Sequence, residues 1–162
     1  MLNEITIRSI SEKDDAALAS IIRNSLEEFG AAKAGTVYLD ETTDHLYNLF
    51  RTKGSAYFVL VKNDKVIGGA GIFPTEGLPE QTCELVKMYL SKEARGYGLG
   101  KILLQTCMAE AKKCGYKKIY LESMPELKTA IAMYANAGFL HIGKAIGNSG
   151  HNGCSVWMIK EL

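Results

Sequence analysis

The chain contains 162 residues, of which 47% are hydrophobic and 23% are charged, and its formal net charge at pH 7 is +1. This length and composition predict one globular domain over residues 1–162 with a buried core. The near-neutral charge without basic runs argues against nucleic acid as a partner, and no apolar stretch approaches the ~20 residues that cross a bilayer, which argues against a membrane.

The first half of the chain predicts three strands and two helices. Ser11 followed by Asp14 offers a helix cap, and the apolar spacing continues until Gly30, which ends the helix. Between two β-rich runs, Lys62-Asn63-Asp64-Lys65 predicts a tight hairpin turn. The predicted strands cover 4–10, 56–61 and 66–73, and the helices run from the Ser11 cap to Gly30 and over 41–50.

The second half predicts four strands and two helices. A glycine-rich turn at 95–101 separates an apolar strand from a helix that Gly115 ends. Ser123-Met124-Pro125-Glu126 combines a capping residue, an early proline and an acid, so a fourth helix is predicted to begin there and to end at Ala137-Gly138. The order β-α-α-β-β-β-α-β-α-β-β predicts an α/β fold with a mixed sheet. The strands are predicted over 82–90, 118–121, 139–142 and 155–159, and the third helix over 102–114.

The N-terminus and the cysteines indicate an intracellular protein. The first residues lack the basic and apolar segments of a signal peptide, so a cytoplasmic location is expected. The four cysteines form no Cys-x-x-Cys pair, and no histidine lies at zinc-finger spacing. Free thiols are therefore expected, and no metal site is predicted.

The segment Arg95-Gly96-Tyr97-Gly98-Leu99-Gly100-Lys101 predicts a pyrophosphate site. Glycine adopts positive φ without strain and lets a ligand approach the backbone, and the start of the following helix offers unpaired N–H groups. Arg95 and Lys101 add positive charge beside those amides. The segment lacks the first glycine and the Ser/Thr of a P-loop, and it lacks the third glycine of a dinucleotide fingerprint.

Two motifs of the chain resemble the GNAT superfamily of acyl-CoA-dependent N-acyltransferases. Arg95, Gly98 and Gly100 match its Arg/Gln-x-x-Gly-x-Gly/Ala pattern, and 130–139 matches its Ala-Ile-x-x-Tyr-x-x-x-Gly-Phe signature. The resemblance extends in order and spacing over roughly 83–139. It implies the GNAT fold, with a mixed, mostly antiparallel sheet of about seven strands flanked by about four helices. It also implies that strands four and five splay apart.

The resemblance further implies acetyl-CoA as the co-substrate. In the family, the pantetheine arm lies between the splayed strands, and the pyrophosphate lies on the amides of the glycine turn. Leu127 replaces the asparagine that often contacts this arm, and Ser123 or a backbone group could supply that contact instead. The implied cofactor-binding residues are Met88, Tyr89, Leu90, Arg95, Gly96, Tyr97, Gly98, Leu99, Gly100, Lys101 and Ser123.

Tyr134 and Glu84 are the catalytic residues that the resemblance implies. Tyr134 matches a tyrosine that protonates the departing thiolate, and Glu84 matches a glutamate of strand four that deprotonates the amine through water. Partial burial by the sheet would raise the pKa of Glu84 and suit a base near neutral pH. Two structural alternatives remain open, in which Tyr134 packs between helix and sheet and Glu84 pairs with Lys87 or another neighbour.

The resulting hypothesis is transfer of an acetyl group from acetyl-CoA to the primary amine of a small molecule, by direct attack in a ternary complex. Peptide or protein N-acetylation, a non-catalytic acyl-CoA-binding module and a nucleotide-phosphate binder remain alternatives. Segments 30–40, 74–81 and 143–153 are expected to form the acceptor pocket, and His151 in the last of them could reach the acceptor. A homodimer is common in the family.

Overall fold

A seven-stranded sheet organises the molecule, whose residues 4–162 are described by a computed structural model. Residues 1–3, which contribute to the expected absence of a signal peptide, lie outside the described residues. The strands are β1 Ile5–Ser9, β2 Ala56–Lys62, β3 Lys65–Phe73, β4 Thr82–Leu90, β5 Lys118–Ser123, β6 Leu140–Ile142 and β7 Val156–Glu161. The helices are α1 Asp15–Glu28, α2 Leu46–Leu49, α3 Leu99–Lys113 and α4 Lys128–Asn136, and 3-10 turns cover Glu12–Asp14, Glu41–Asp44 and Lys92–Ala94.

The sheet is mixed and mostly antiparallel, as predicted. Its order is β1-β2-β3-β4-β5-β7-β6, and the β4–β5 pair is parallel, with α3 in the crossover between these strands. The predicted hairpin is confirmed, because Asn63 and Asp64 (φ 50° and 62°) form a two-residue turn between β2 and β3.

Helices cover both faces of the sheet. Adjacent β2 residues Val59 and Leu60 belong to opposite core clusters, as the alternation of a strand requires. One cluster contains α1 and α2 residues such as Leu18 and Leu46, and the other contains α3 residues such as Leu103. The sheet is therefore held between two helical layers.

Strands β4 and β5 separate after a short junction. They pair only from Thr82–Lys118 to Glu84–Tyr120, although β4 continues to Leu90. Beyond that junction, β5 pairs with β7 alone. The splay predicted between strands four and five is thereby confirmed.

A bulge lies in β4 beside this splay. Gly71 faces Val86 and Gly69 faces Tyr89, so two β4 residues lie opposite Ala70. The first of these two, Lys87, has a φ of 50°, which is a strained value for a residue with a side chain.

Two helix predictions are wrong in their boundaries. The fourth helix begins at Lys128 rather than at Ser123, because 118–123 pairs with β7 through all six residues and only then turns. Sheet pairing thus overrides the capping signal of the Ser-x-Pro-Glu segment. The second helix is divided at His45 (φ −135°, ψ 45°) into a 3-10 turn and the four-residue α2.

Candidate active site

A cavity of about 750 Å³ fills the gap between β4 and β5. It reaches from the glycine turn and the start of α3 to the buried end of β4 near Glu84. All of the implied cofactor-binding and catalytic residues line it except Tyr97, whose side chain is 76% exposed. The fold thereby brings together residues that are separated by 50 positions between Glu84 and Tyr134.

The glycine turn has the backbone that a bound anion requires. Gly96 and Gly98 have φ of 84° and 75°, and a Cβ at either position would meet no protein atom within 4 Å. Helix α3 begins directly after Gly98, and its first turn contains no acidic residue. The N–H groups of Leu99, Gly100 and Lys101 belong to that first turn and so lack acceptors within the helix. The residues present therefore fit a pyrophosphate group.

Arg95 joins the glycine turn to α1. Its guanidinium donates to Glu28 at 2.8 Å, to the Ser25 hydroxyl at 3.1 Å and to the Leu90 carbonyl at 3.2 Å. It also lies 4.7 Å from the centroid of the Phe29 ring. These contacts fix the turn against the helix, so in this structure the charge of Arg95 faces Glu28, while Lys101 is exposed.

Tyr57 stabilises the β4 bulge through a hydrogen bond. This tyrosine is 2% exposed and donates its hydroxyl hydrogen to the Lys87 carbonyl at 2.7 Å. A Cβ on Gly69 would lie 2.5 Å from the Tyr57 ring, so glycine is required there. The hydrogen bond satisfies a buried carbonyl at the strained residue and stabilises the local shape of the strand.

Tyr134 lies in α4 with its side chain against the cavity. It is 7% exposed, and its ring centroid lies 5.9 Å from that of Phe139. Burial raises the pKa of its phenol well above the usual value, so the group is protonated at neutral pH. Packing and an accessible hydroxyl are both compatible with this position.

Glu84 is the buried carboxyl at the opposite end of the cavity. It is 3% exposed and accepts a hydrogen bond from the Thr75 hydroxyl at 2.6 Å. Burial raises its pKa to about 7, which the Thr75 hydrogen bond opposes and the nearby Glu122 reinforces. The alternative ion pair with Lys87 is not formed, because the Lys87 ammonium lies 3.4 Å from Asp40 instead.

Asp40 is the centre of a second polar group on the acceptor side. Its Oδ2 atom lies 3.4 Å from the Lys87 ammonium and 3.1 Å from His151 Nε2. The hydrogen bond with His151 and the charge of Lys87 hold the pKa of Asp40 well below its usual range, so this carboxylate is ionised. Burial lowers the pKa of Lys87, whose side chain is only 4% exposed.

Glu122 connects β5 to the 143–153 segment. It accepts hydrogen bonds from the Tyr120 hydroxyl at 2.7 Å and from the Ser149 hydroxyl. Tyr120 in turn accepts from the Ile146 amide at 3.2 Å. One carboxylate oxygen of Glu84, one of Glu122 and one ring nitrogen of His151 all lie within 4.8 Å of one another.

The three segments predicted to form the acceptor pocket are joined to one another by hydrogen bonds. The Gly153 amide donates to the Gly35 carbonyl at 2.7 Å, and the Asn148 amide donates to the Glu76 carbonyl at 2.7 Å. A Cβ on Gly35 would lie 2.7 Å from the Gly153 nitrogen, so the close approach depends on glycine. The 143–153 segment is thus tied to the other two, and Thr36 and His151 from these segments line the cavity.

Several residues of this site were not found by sequence reasoning. Asp40 and Tyr57 carry no motif, and their partners His151 and Lys87 lie 111 and 30 residues away. Sequence reasoning places His151 within reach of the acceptor but does not pair it with Asp40. The glycines at 68, 69 and 71 are the one local signal, because glycine within a strand marks a close approach or a bulge.

The splayed sheet and the cavity beside the glycine turn have the arrangement that the family resemblance implies for an acyltransferase. The chain matches the profile of the Acetyltransferase (GNAT) family over residues 19–139. It is also 40% identical over 157 residues to the Escherichia coli K12 protein named "Uncharacterized N-acetyltransferase YjgM", covering 96% of this chain and 94% of that relative. The chain belongs to the GNAT family and is an acetyltransferase.

Solved structures show the same fold. A GNAT-family acetyltransferase from Staphylococcus aureus Mu50 superimposes with a TM-score of 0.86 at 19% identity, over 98% of this chain and 99% of the other. YncA from Salmonella typhimurium, solved with its cofactor acetyl-CoA, superimposes with a TM-score of 0.78 at 22% identity, over 99% and 95% of the two chains. Within residues 4–162, no helix has the length and apolar character needed to span a membrane.

Proposed function

We propose that the protein transfers the acetyl group of acetyl-CoA directly to the primary amine of a small molecule in a ternary complex. The observation that carries this proposal is the single cavity that connects the glycine turn with Glu84 through the β4–β5 gap. An acyl carrier bound in that gap has its phosphates on the start of α3 and its thioester near the bulge.

The glycine turn and the open edge of β4 hold acetyl-CoA in this proposal. Main-chain N–H groups of Gly96, Gly98, Gly100 and Lys101 bind the pyrophosphate. The backbone of 88–90 binds the pantetheine arm, and an amide there stabilises the negative charge that develops on the thioester oxygen. Tyr57 contributes indirectly, because its hydrogen bond to Lys87 fixes the bulge from which this backbone departs.

Glu84 is the proposed base, acting on the acceptor ammonium directly or through one water molecule. A carboxyl with a pKa of about 7 is ionised in an appreciable fraction of molecules at neutral pH and is still basic enough to take a proton. The neighbouring carboxylates of Glu122 and Asp40 favour a cationic acceptor at this end of the cavity.

Tyr134 is the proposed donor to the departing sulfur. Burial keeps its hydroxyl protonated, which is the form that a donor requires. The same raised pKa disfavours complete proton transfer from the phenol, so its first contribution is a hydrogen bond to the developing thiolate. The proton that finally resides on the thiol comes from the attacking amine.

A small acceptor is proposed because the three segments on the acceptor side are tied together. Hydrogen bonds join residues 35 and 153 and residues 76 and 148. A folded protein substrate would need a more open cleft, whereas a small amine needs only the recess near Glu84.

The proposal is tested by thiol release from acetyl-CoA with spermidine, glucosamine, L-methionine and a hexapeptide with an N-terminal alanine as acceptors. Tyr134→Phe is expected to lower kcat by about 10²-fold with the KM for acetyl-CoA within twofold of the wild-type value. Tyr47→Phe in α2, which does not line the cavity, is the matched control and is expected to retain the wild-type kcat.

Each alternative has its own outcome. Turnover with the hexapeptide alone would replace the small acceptor by a peptide. CoA binding without turnover on any acceptor would leave a binding module instead of an enzyme. Equal kcat for wild type and Tyr134→Phe would remove Tyr134 from the mechanism.

A further inference from the structure

Glu84 is poorly placed to release a proton to solvent by itself. Its side chain is 3% exposed, and its one side-chain hydrogen bond among the described residues is to the hydroxyl of Thr75. A base that is regenerated in every turnover must transfer each proton onward. The proposed function therefore requires a route from this buried carboxyl to water.

His151 lies on such a route. One of its ring nitrogens is within 4.8 Å of an oxygen of the Glu84 carboxylate, a separation that one water molecule can bridge. Its side chain is 16% exposed, so it has the access to solvent that Glu84 lacks. Imidazole is also the side chain that ordinarily gains and loses a proton near neutral pH.

Asp40 orients the imidazole. The ionised Asp40 carboxylate can only accept a hydrogen bond, so the His151 Nε2 atom at 3.1 Å must carry a proton and donate it. This arrangement leaves Nδ1 as the atom that gains or loses a proton. The Cys154 amide donates to the His151 carbonyl at 3.2 Å and helps to fix the backbone of the segment.

We propose that His151, oriented by Asp40, is the positioning residue that accepts the proton from Glu84 and passes it to solvent. The proposal rests on the proposed function. The acceptor ammonium loses one proton to Glu84 Oε, which transfers it through one water molecule to His151 Nδ1 and then to bulk water. The second proton of the attacking nitrogen is transferred to the departing thiolate. Each turnover therefore yields amide, free thiol and one released proton.

The titratable groups around His151 come from four parts of the chain. Asp40 lies on the 30–40 segment, Glu84 and Lys87 lie on β4, Glu122 lies on β5, and Cys154 lies three residues after His151. Burial raises the pKa of Cys154 to about 12, so this thiol is neutral and does not compete for the proton. Lys87 is paired with Asp40, and Glu84 and Glu122 are the other carboxyls near the ring, each with an oxygen within 4.8 Å of a ring nitrogen.

The test compares His151→Gln with His141→Gln. Glutamine retains an N–H donor for Asp40 but cannot carry a proton, whereas His141 is exposed on the edge strand β6 and serves as the matched control. With the best acceptor of the four amines above, His151→Gln is expected to lower kcat about tenfold or more. Its KM for acetyl-CoA should stay within twofold of wild type, and added imidazole should restore part of the lost kcat.

A second measurement does not depend on turnover. The titration of the Glu84 carboxyl is followed by carbon-13 NMR in wild type and in His151→Gln. Because His151 lowers the pKa of Glu84, the variant should titrate at higher pH, while His141→Gln should leave the titration unchanged.

The outcomes separate this proposal from the proposed function. If the wild type turns over and the kcat of His151→Gln stays within twofold of the wild-type value, the relay alone is overturned. A lost kcat that imidazole does not restore, or an unchanged Glu84 titration, also overturns the relay. Inhibition by EDTA that a divalent cation reverses would overturn it as well, because the cluster would then bind an ion. Wild-type protein without turnover on any amine overturns the proposed function and the relay together.

Discussion

Glu84 shows at the residue scale how one environment determines a chemical role. The carboxyl is removed from water, which raises its pKa to about 7, while the Thr75 hydroxyl and the nearby His151 and Lys87 favour its ionised form. Its acidity therefore depends on few contacts, and each contact can be removed separately.

The activity is expected to rise with pH through about 7, because the base must be deprotonated. Thr75→Val removes the hydrogen bond that favours the carboxylate, so the pKa of Glu84 should rise and the ascending limb of the kcat profile should move to higher pH. Thr106→Val, which removes a hydroxyl that bonds only to the Ile102 carbonyl on α3, is the control. An ascending limb of the kcat profile at the same pH in Thr75→Val and Thr106→Val would contradict the role of Glu84.

Sequence reasoning at this scale can name residues that belong to a local motif and has no basis where a contact is distant. Glu84 and Tyr134 belong to short patterns and could be named from the chain alone. The Asp40–His151 pair joins residues 111 positions apart, and neither residue has neighbours that suggest the other. Only the meeting of the two segments through Gly35 and Gly153 creates this pair.

At the scale of elements, α3 offers a comparison between its two ends. Gly98 precedes the helix and Gly115 follows it, both have positive φ, and a Cβ on either would meet no protein atom within 4 Å. The proposed ligand approaches only the first of them.

Alanine at either glycine should cost roughly 1–2 kcal/mol of unfolding free energy, because both positions require a left-handed backbone. Gly98→Ala should in addition weaken CoA binding by about tenfold or more, since the new methyl group occupies the proposed phosphate site. Gly115→Ala should bind CoA like wild type. Denaturant titration and calorimetry measure the two effects, and equal CoA affinity in both variants would exclude the turn as the phosphate site.

The β4 bulge offers a second matched pair. Tyr57 donates to the Lys87 carbonyl at 2.7 Å, and Tyr116 donates to the Gly54 carbonyl at 2.6 Å away from the cavity. Phenylalanine at either position should lower the unfolding free energy by about 1–3 kcal/mol, because a carbonyl loses its partner. Only Tyr57→Phe should also lower kcat, since the bulge relaxes. A normal kcat for Tyr57→Phe would show that the bulge keeps its shape without this bond.

The errors in the helices have one physical cause. Local capping signals at Ser123 and the apolar spacing in 41–50 were real, but the pairing of β5 with β7 and the backbone break at His45 set the boundaries. Propensity is a weak guide where tertiary contacts compete for the same residues. The hairpin at 63–64 was predictable because its turn is determined by two residues.

At the scale of the whole molecule, the sheet consists of two parts joined by the short β4–β5 junction. The mostly antiparallel sheet and the splay followed from the family resemblance, not from periodicity, because residue spacing alone does not state which strands pair. The acceptor remained open for the same reason, since its pocket is formed by loops from three distant parts of the chain.

CoA at 100 times its Kd should raise the unfolding free energy by about 2.7 kcal/mol, because it binds the folded state only. ATP and NAD at the same concentration should give no comparable shift, since neither contains a pantetheine arm for the gap. Thermal unfolding with each ligand measures the effect. An equal shift with ATP would favour the nucleotide-phosphate alternative.

The three-pair junction between β4 and β5 also has a consequence for the lifetime of the protein in a cell. In the proposed complex, the amides of the pantetheine arm pair with β4 as an additional strand would and fill the gap between β4 and β5. The loaded enzyme is then harder to degrade than the empty one, because proteases act on opened chains. The abundance of the enzyme should consequently follow the supply of its acetyl donor.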